Sequence, residues 1–419
     1  MTNSTARLLA AASLFALGAA SAAQAQDATL LEEIVVTAQK REQQSLDVPL
    51  ALTAFGGERL NDLGVQDFAD LSAYTPGFEV QDQSPNNPGF VMRGITSDST
   101  DASAEARVSV FQDGVSISKA QGSYVELFDL ERVEVAKGPQ STLFGRGALI
   151  GGVNIIQRKA QPGVFEGYLT GQGGDYGYRM AEGAVNIPMT DAAAIRFSGR
   201  IRQRDGYVEN ALGGEDFQSV DTVAGRLAFN LNPSDRVNFD FIVNYQEDKA
   251  AGTAFKSGGF SPTDPTTGQV LASRDPWDAA ALVAPANFQG GMSLGVDRTV
   301  WGVTGLATIE LSDAVTLTST TAARRFESEE VYDPDGVSLP ILTGLNDAIG
   351  EQFSQEVRIN FDQGGRVRGF VGAGVFRDDG RQRLPLQFDE RMGLAVLTGQ
   401  LNGGAAGTGL PSTTPAPAA

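Results

Sequence analysis

The chain contains neither cysteine nor histidine. Without cysteine there is no disulfide and no thiolate nucleophile; without histidine there is no Ser-His pairing and no usual zinc site. Stability has to come from burial and hydrogen bonding alone. Asp and Glu are plentiful, yet no spacing singles out two of them as an acid/base pair. The expectation is therefore a protein that is not an enzyme and carries no cofactor and no metal. Cations are in deficit, with 32 Lys and Arg against 51 Asp and Glu and a net charge of −19. That balance speaks against nucleic acid as a partner, because phosphate contacts require Lys and Arg. Past the N-terminus, no segment has the roughly 20 consecutive apolar residues of a membrane-spanning helix.

Glycine, by contrast, is abundant at 50 residues. With moderate apolar content and a slightly negative mean hydropathy, this suits an all-β protein rich in turns. It equally suits a transmembrane barrel, whose strands are only half apolar. The N-terminus reads as a secretory signal peptide over residues 1–25. Arg7 precedes an apolar run at 8–20, and Ala23-Gln24-Ala25 supplies an A-x-A cleavage pattern. Cleavage after Ala25 would deliver the mature chain at least to the periplasm of a double-membraned bacterium.

Three regions follow. Residues 26–44 form a short polar arm, interrupted by Ile34-Val35-Val36. Residues 45–160 mix element types, as expected of a compact α+β domain. Helix-like spacing runs over 65–74, and short strands are predicted at 91–95, 108–112, 132–136 and 153–157. From 163 to 419 the character changes to apolar/polar alternation of period two. Over 195–202, Ile195, Phe197, Gly199 and Ile201 alternate with Arg196, Ser198, Arg200 and Arg202. Over 237–246, Val237, Phe239, Phe241, Val243 and Tyr245 share one face, with Ile242 breaking the pattern opposite. Tight turns are predicted at 189–192, 232–235, 312–314 and 362–365, and long loops at 206–219, 248–298 and 327–349. Apart from the first connection, at about 173–178, which is short where a long loop is due, short and long connections alternate as in a membrane barrel, where turns face the periplasm and loops the exterior. A Greek-key sandwich has no reason to alternate them.

The stretch 131–156 reads ERVEVAKGPQSTLFGRGALIGGVNII. Taken by itself it is a β-type run, a Gly-Pro turn and a second β-type run, with glycine where backbones must turn or approach closely. Its motif residues are Glu131, Arg132, Glu134, Lys137, Gly138, Pro139, Gly145, Gly151, Gly152 and Asn154. It resembles the plug-domain signature of TonB-dependent outer-membrane receptors. Three further fragments resemble plug elements in the same order. They are an opening strand at 47–53, the x-x-R-G-[IF] element with Arg93 and Gly94, and the D-G-V turn with Asp113 and Gly114. The segment Glu33, Ile34, Val35, Val36, Thr37, Ala38 looks like the TonB box, the strand-forming peptide that TonB captures by main-chain pairing. Its short distance from Ala25 leaves no room for an extra N-terminal signalling domain.

The resemblance implies an α+β plug followed by transmembrane antiparallel β-barrel strands. About nine strands are readable where the family closes barrels of about 22. The tail through Thr413 and Ala419 reads as an unfinished exterior loop, and the chain as a truncated product with an incomplete barrel. In the family, plug cations at the positions of Arg93 and Lys137 pair with carboxylates of the barrel wall. Glu131, Arg132 and Glu134 are expected to form local cross-strand pairs. Arg196, Arg200, Arg202 and Arg226 would face the lumen, either contacting acidic plug residues or lining a path for anionic ligands. The implied function is TonB-dependent import across the outer membrane of a Gram-negative bacterium, with an iron–siderophore complex as the default cargo. The implied partners are TonB with its inner-membrane energising complex, outer-membrane lipid and a small-molecule ligand such as a ferric siderophore, the receptor acting as a monomer. The alternatives are a passive porin-like or adhesive barrel and a soluble periplasmic binding module.

Overall fold

The computed structural model describes residues 35–37, 40, 43–45, 48–99, 101, 104–144, 147–210, 214–256, 278–279, 288–336, 341–362, 364 and 367–389. The signal-peptide reading, Glu33, Ile34 and Ala38 of the arm, Gly145 of the glycine-rich stretch and the tail lie outside them.

The arm contributes two short strands, β1 (Val35–Val36) and β2 (Gln43–Gln44), paired antiparallel. Next come β3 (Leu52–Gly56), α1 (Gly57–Asp62), α2 (Phe68–Ala73), β4 (Phe78–Ser84), β5 (Asn87–Met92) and β6 (Ile95–Ser97). They are followed by β7 (Val108–Gln112), β8 (Val115–Ile117), α3 (Ala120–Ser123), β9 (Leu130–Lys137), α4 (Ser141–Phe144) and β10 (Gly151–Gln157). One sheet runs β3-β9-β10-β7-β8, with β7 and β10 parallel, and a second runs β4-β5-β6.

The two halves of the glycine-rich stretch are thus the central strands of the first sheet. Their side chains Val133, Val135, Val153 and Ile155 pack with Phe68, Leu71, Phe90 and Met92 into the core of this domain. The glycine at 152 is required by contact: a Cβ there would stand 2.9 Å from the Phe111 ring and 3.2 Å from Ser109 O. Helix α2 starts where it does because Asp67 caps it, its carboxylate accepting from Asp70 N at 3.0 Å.

Two expectations need correction here. The segment 91–95 is not one strand. Arg93 (φ 51°) and Gly94 (φ 79°) turn it into a hairpin between β5 and β6, as Asp113 (φ 52°) and Gly114 (φ 77°) do between β7 and β8. The opening strand begins at Leu52 rather than Asp47, and α1 and β4 had no counterpart in the sequence reading.

The wall consists of β11 (Glu166–Gly173), β12 (Arg179–Thr190), β13 (Ala193–Arg204), β15 (Val220–Ser234), β16 (Val237–Ala250), β18 (Gly295–Ser312), β19 (Val315–Tyr332), β20 (Leu342–Asp362) and β21 (Arg368–Arg383). These nine long strands follow one another in a single antiparallel sheet, with β22 (Leu386–Phe388) pairing back onto β20. Short strands β14 (Glu209–Asn210) and β17 (Asp278–Ala279) pair in the loops. Among the described residues no helix is long and apolar enough to cross a membrane; the strands make the wall.

Alternation sorts the side chains. Phe197, Ile201, Phe239, Phe241, Tyr245, Val357 and Ile359 are exposed on the outer face, while Arg196, Arg200, Arg202 and Arg226 are buried on the inner. Ile242, the break in the pattern, is fully buried on the inner face against Ala160, Ala194 and Ala228. The loop expected at 327–349 is mostly strand: Glu327 pairs with Ile349 and Glu329 with Asp347, and the ladder runs on to Tyr332 and Gly344. Strands here continue where polar residues occupy both faces, so no period-two signal survives. The loop at 248–298 is likewise shortened by β16 and β18 at both ends.

Candidate functional site

The plug meets the wall along 124–130, the extended passage between α3 and β9. Asp129 carries the contact with β13: Arg196 donates from Nε to Oδ2 at 2.9 Å and from Nη2 to Oδ1 at 2.6 Å. Arg196 also reaches Glu166 at 2.9 Å. On β15, Arg226 donates to the carbonyls of Phe128 and Asp129, each at 2.8 Å, and lies over the Phe128 ring. Two turns of the pleat away, Glu126 bridges Arg200 at 3.1 Å and Arg202 at 2.6 Å. Arg202 in turn holds the α2 cap Asp67 at 2.9 Å.

The same residues thus start a plug helix and fasten it to the wall. These charges are buried, and buried ions persist only when paired and hydrogen-bonded. Burial alone would raise the Asp129 carboxyl, but the hydrogen bonds from Arg196 and the charge of Arg226 outweigh it and hold it below the usual carboxylate range. Asp113, in the plug turn, is pushed up by burial.

Sequence reasoning missed half of this interface. Arg298, fully buried on β18, donates to Asp248 at 2.7 Å, to Gln121 O at 2.7 Å and to Tyr124 O at 2.5 Å. Its neighbours in phase on β18 are Val296, Val300 and Gly302, so no polar alternation marks it, and it stands at the end of the stretch expected as a loop. The plug acceptors Glu126 and Asp129 sit in irregular backbone, where no period marks them.

Arg93 is exposed at its hairpin turn, and Lys137 donates to Thr53 Oγ1 at 2.8 Å and Pro76 O at 3.1 Å. Burial, and then the charge of Arg93, lower the Lys137 pKa. Among the described residues neither cation pairs with a wall carboxylate. Arg132 pairs along its own strand, with Glu131 and, at 2.8 Å, with Glu134; the expected cross-strand partner is instead Asn154, which donates to Glu134 at 3.4 Å. Gly138 opens the turn after β9 with φ 127°, and Pro139 follows it. Gly151 and Gly152 pair with Lys137 and Ala136.

The arm returns to this motif. Val36 is fully buried, and Thr37 donates to Glu134 Oε1 from its amide at 2.9 Å and its hydroxyl at 3.2 Å. Lys40 reaches Glu356 on the wall at 3.4 Å.

Comparison with known proteins agrees with this layout. Residues 44–153 match the TonB-dependent Receptor Plug Domain. The chain is 28% identical over 260 residues to the iron-regulated outer membrane virulence protein of Vibrio cholerae, covering 57% of this chain and 38% of that protein. It is 26% identical to the vitamin B12 transporter BtuB of Vibrio vulnificus over 48% of this chain and 32% of the transporter. In structure it is similar to the ferric yersiniabactin uptake receptor FyuA of Yersinia pestis, with TM-score 0.65 and 19% identity over 81% of this chain and 50% of FyuA. The likeness to the ferripyoverdine receptor of Pseudomonas aeruginosa has TM-score 0.65 and 13% identity over 85% and 46% of the two chains. The chain therefore spans about half or less of each of these relatives. By the match over 44–153 and the likeness in fold, the chain resembles the TonB-dependent outer-membrane receptors, with a plug domain followed by the strands of an incomplete barrel.

Proposed function

We propose that the receptor to which this chain belongs imports a scarce nutrient, an iron–siderophore complex, across the outer membrane when TonB pulls on residues 34–38. The observation that carries this reading is the direct connection from Thr37 through Glu134 to the central strand β9 of the plug. Force applied to the arm is delivered into the sheet whose loops are ion-paired to the wall. Capture needs an extended, β-prone peptide that can add to a sheet edge, and Ile34-Val35-Val36-Thr37 is such a peptide.

The cargo class is inferred from relatives. The Vibrio cholerae relative is iron-regulated, while a Yersinia pestis structural relative takes up ferric yersiniabactin and a Vibrio relative transports vitamin B12. Lipid contacts the apolar outer face of the wall, the receptor works as a monomer, and nucleic acid is no partner. The inward arginines serve to hold the plug, the first of the two roles their position allows.

Removing residues 34–38 from the full-length receptor tests the reading. Energised uptake of a labelled ferric siderophore is expected to fall to background while surface binding of the same ligand is retained. Undiminished uptake would refute the assignment of the box.

A further inference from the structure

We propose that Glu330 is a positioning residue for the cargo site: it fixes the tip of the plug hairpin β4–β5 and two exterior connections of the wall at one point, and so sets the floor of the exterior site. This deepens the proposed function and rests on reading the chain as part of an importer whose cargo arrives from the exterior.

Strand β19 rises from the tight turn at 312–314, so Glu330, near its far end, lies toward the exterior. Its Oε2 accepts from Ser84 Oγ and Asn86 Nδ2 of the plug tip, each at 3.1 Å. On the same tip, Asn86 Oδ1 accepts from Ser328 Oγ. Thr253, in the connection after β16, stands with its hydroxyl 3.2 Å from Glu330 Oε1 and 3.1 Å from the carbonyl oxygen of Gln83. Gln218, in the connection before β15, donates to that carbonyl at 3.3 Å. Two residues past Thr253, Phe255 packs against Tyr332 with ring centroids 5.6 Å apart. Plug tip, strand end and both connections thus share two acceptors, Glu330 and Gln83 O.

This contact differs in kind from the rest of the interface. Asp129, Glu126 and Asp378 each meet a cation, respectively Arg196, Arg200 and Lys119. Among the described residues Glu330 meets none; its donors are two hydroxyls and an amide. Such bonds are directional, so together they fix the angle of the tip as well as its distance from the wall. Ser84, Asn86, Ser328 and Glu330 are all buried, and loss of the shared acceptor leaves buried donors without a partner. Charge is not required for this role. A glutamine amide can accept from Ser84 and Asn86 while donating to the Thr253 hydroxyl, whose own proton then goes to Gln83 O.

The chain has no cysteine, so single cysteines in the full-length receptor report each region separately. P85C at the plug tip and V110C in the plug core are timed by reaction with a maleimide in detergent, and affinity for a labelled ferric siderophore is measured on cells. Glu330→Ala is expected to speed the reaction at 85 by about tenfold or more and to leave 110 protected. It should also weaken cargo affinity by about tenfold while energised import at saturating cargo is retained. Glu330→Gln should restore both the slow reaction and the affinity. An unchanged rate at 85 in E330A overturns the proposal, as does a parallel rise at 110, which would mean that the plug loosens as a whole. A faster tip with unaltered affinity overturns it too, and so does an E330Q receptor as impaired as E330A. A wild-type receptor that binds no ferric siderophore would instead sink the cargo assignment, and the rates at 85 and 110 would still decide whether Glu330 holds the tip.

Discussion

Asp129 of the plug and Arg196 of the wall meet side-on, through two hydrogen bonds of 2.9 and 2.6 Å that join one carboxylate to one guanidinium. Paired donors of this kind fix geometry as well as supply energy, because both planes must align. Neighbouring contacts by Arg200, Arg202, Arg226 and Arg298 extend the same interface over β13, β15 and β18.

Replacement of Asp129 by Ala leaves the Arg196 guanidinium buried with only the half-exposed Glu166. The expected loss is about 3–5 kcal/mol of plug–wall association, the usual result of removing one partner of a buried pair. Protease protection of the plug against denaturant concentration measures it. The outward Arg236–Asp313 pair, exposed on both sides, provides the comparison: D313A should change little.

Acid should act through the same carboxyl. The folded-state pKa of Asp129 lies below its unfolded value of about 3.9, so its contribution is fully present above that value and is lost as pH falls through the folded pKa. Plug docking is thus expected to hold steady from neutrality to about pH 5 and to weaken below about pH 4. In D129N the part of the acid limb due to this residue should vanish; an unaltered profile would show that other carboxylates govern it.

Phe241 and Ile242 are neighbours with opposite surroundings, one exposed on the outer face and one buried inward. Phe241→Arg is expected to cost about 2–4 kcal/mol in a bilayer and much less in a micelle that can deform around it. Ile242→Ala should cost about 2–5 kcal/mol in either medium, since the cavity opens against Ala160, Ala194 and Ala228. Folding titrations monitored by heat-modifiable migration distinguish the two patterns.

Gly152→Ala places a methyl group 2.9 Å from the Phe111 ring, between two central strands. Overpacking of this kind is expected to cost about 1–3 kcal/mol. The denaturation midpoint of the plug should drop accordingly, while Gly163→Ala, whose Cβ meets nothing within 4 Å, should lose only the preference for its positive φ of 74°.

The parts of this fold that sequence made legible are those whose residues repeat a local rule. Strands β13 and β16 announce themselves because each alternate residue meets a different medium, and Asp113-Gly114 because two successive positive φ values demand such a pair. Arg93-Gly94 obeys the same rule and was hidden inside an apolar run that reads as one strand. The upper ends of β19 and β20 were illegible because Glu327, Glu329 and Glu330 place polar groups on both faces, and only the pairing partner reveals a ladder. At the site, Arg196 and Arg200 could be placed from alternation, but their acceptors could not. Glu126 and Asp129 are chosen by where an irregular segment passes, which tertiary packing alone decides. The grip of Glu134 on Thr37 joins positions 97 residues apart, beyond any local pattern.

The central claim is that the arm is the point of capture by TonB, and disulfide trapping tests it most directly. Single cysteines are placed in turn at positions 33 to 38 of the full-length receptor, against a single cysteine in the capturing strand of TonB. The account predicts cross-links at successive arm positions, lost when Thr37→Pro removes a main-chain donor. Trapping at no arm position, with cross-links forming only elsewhere on the plug, would contradict it.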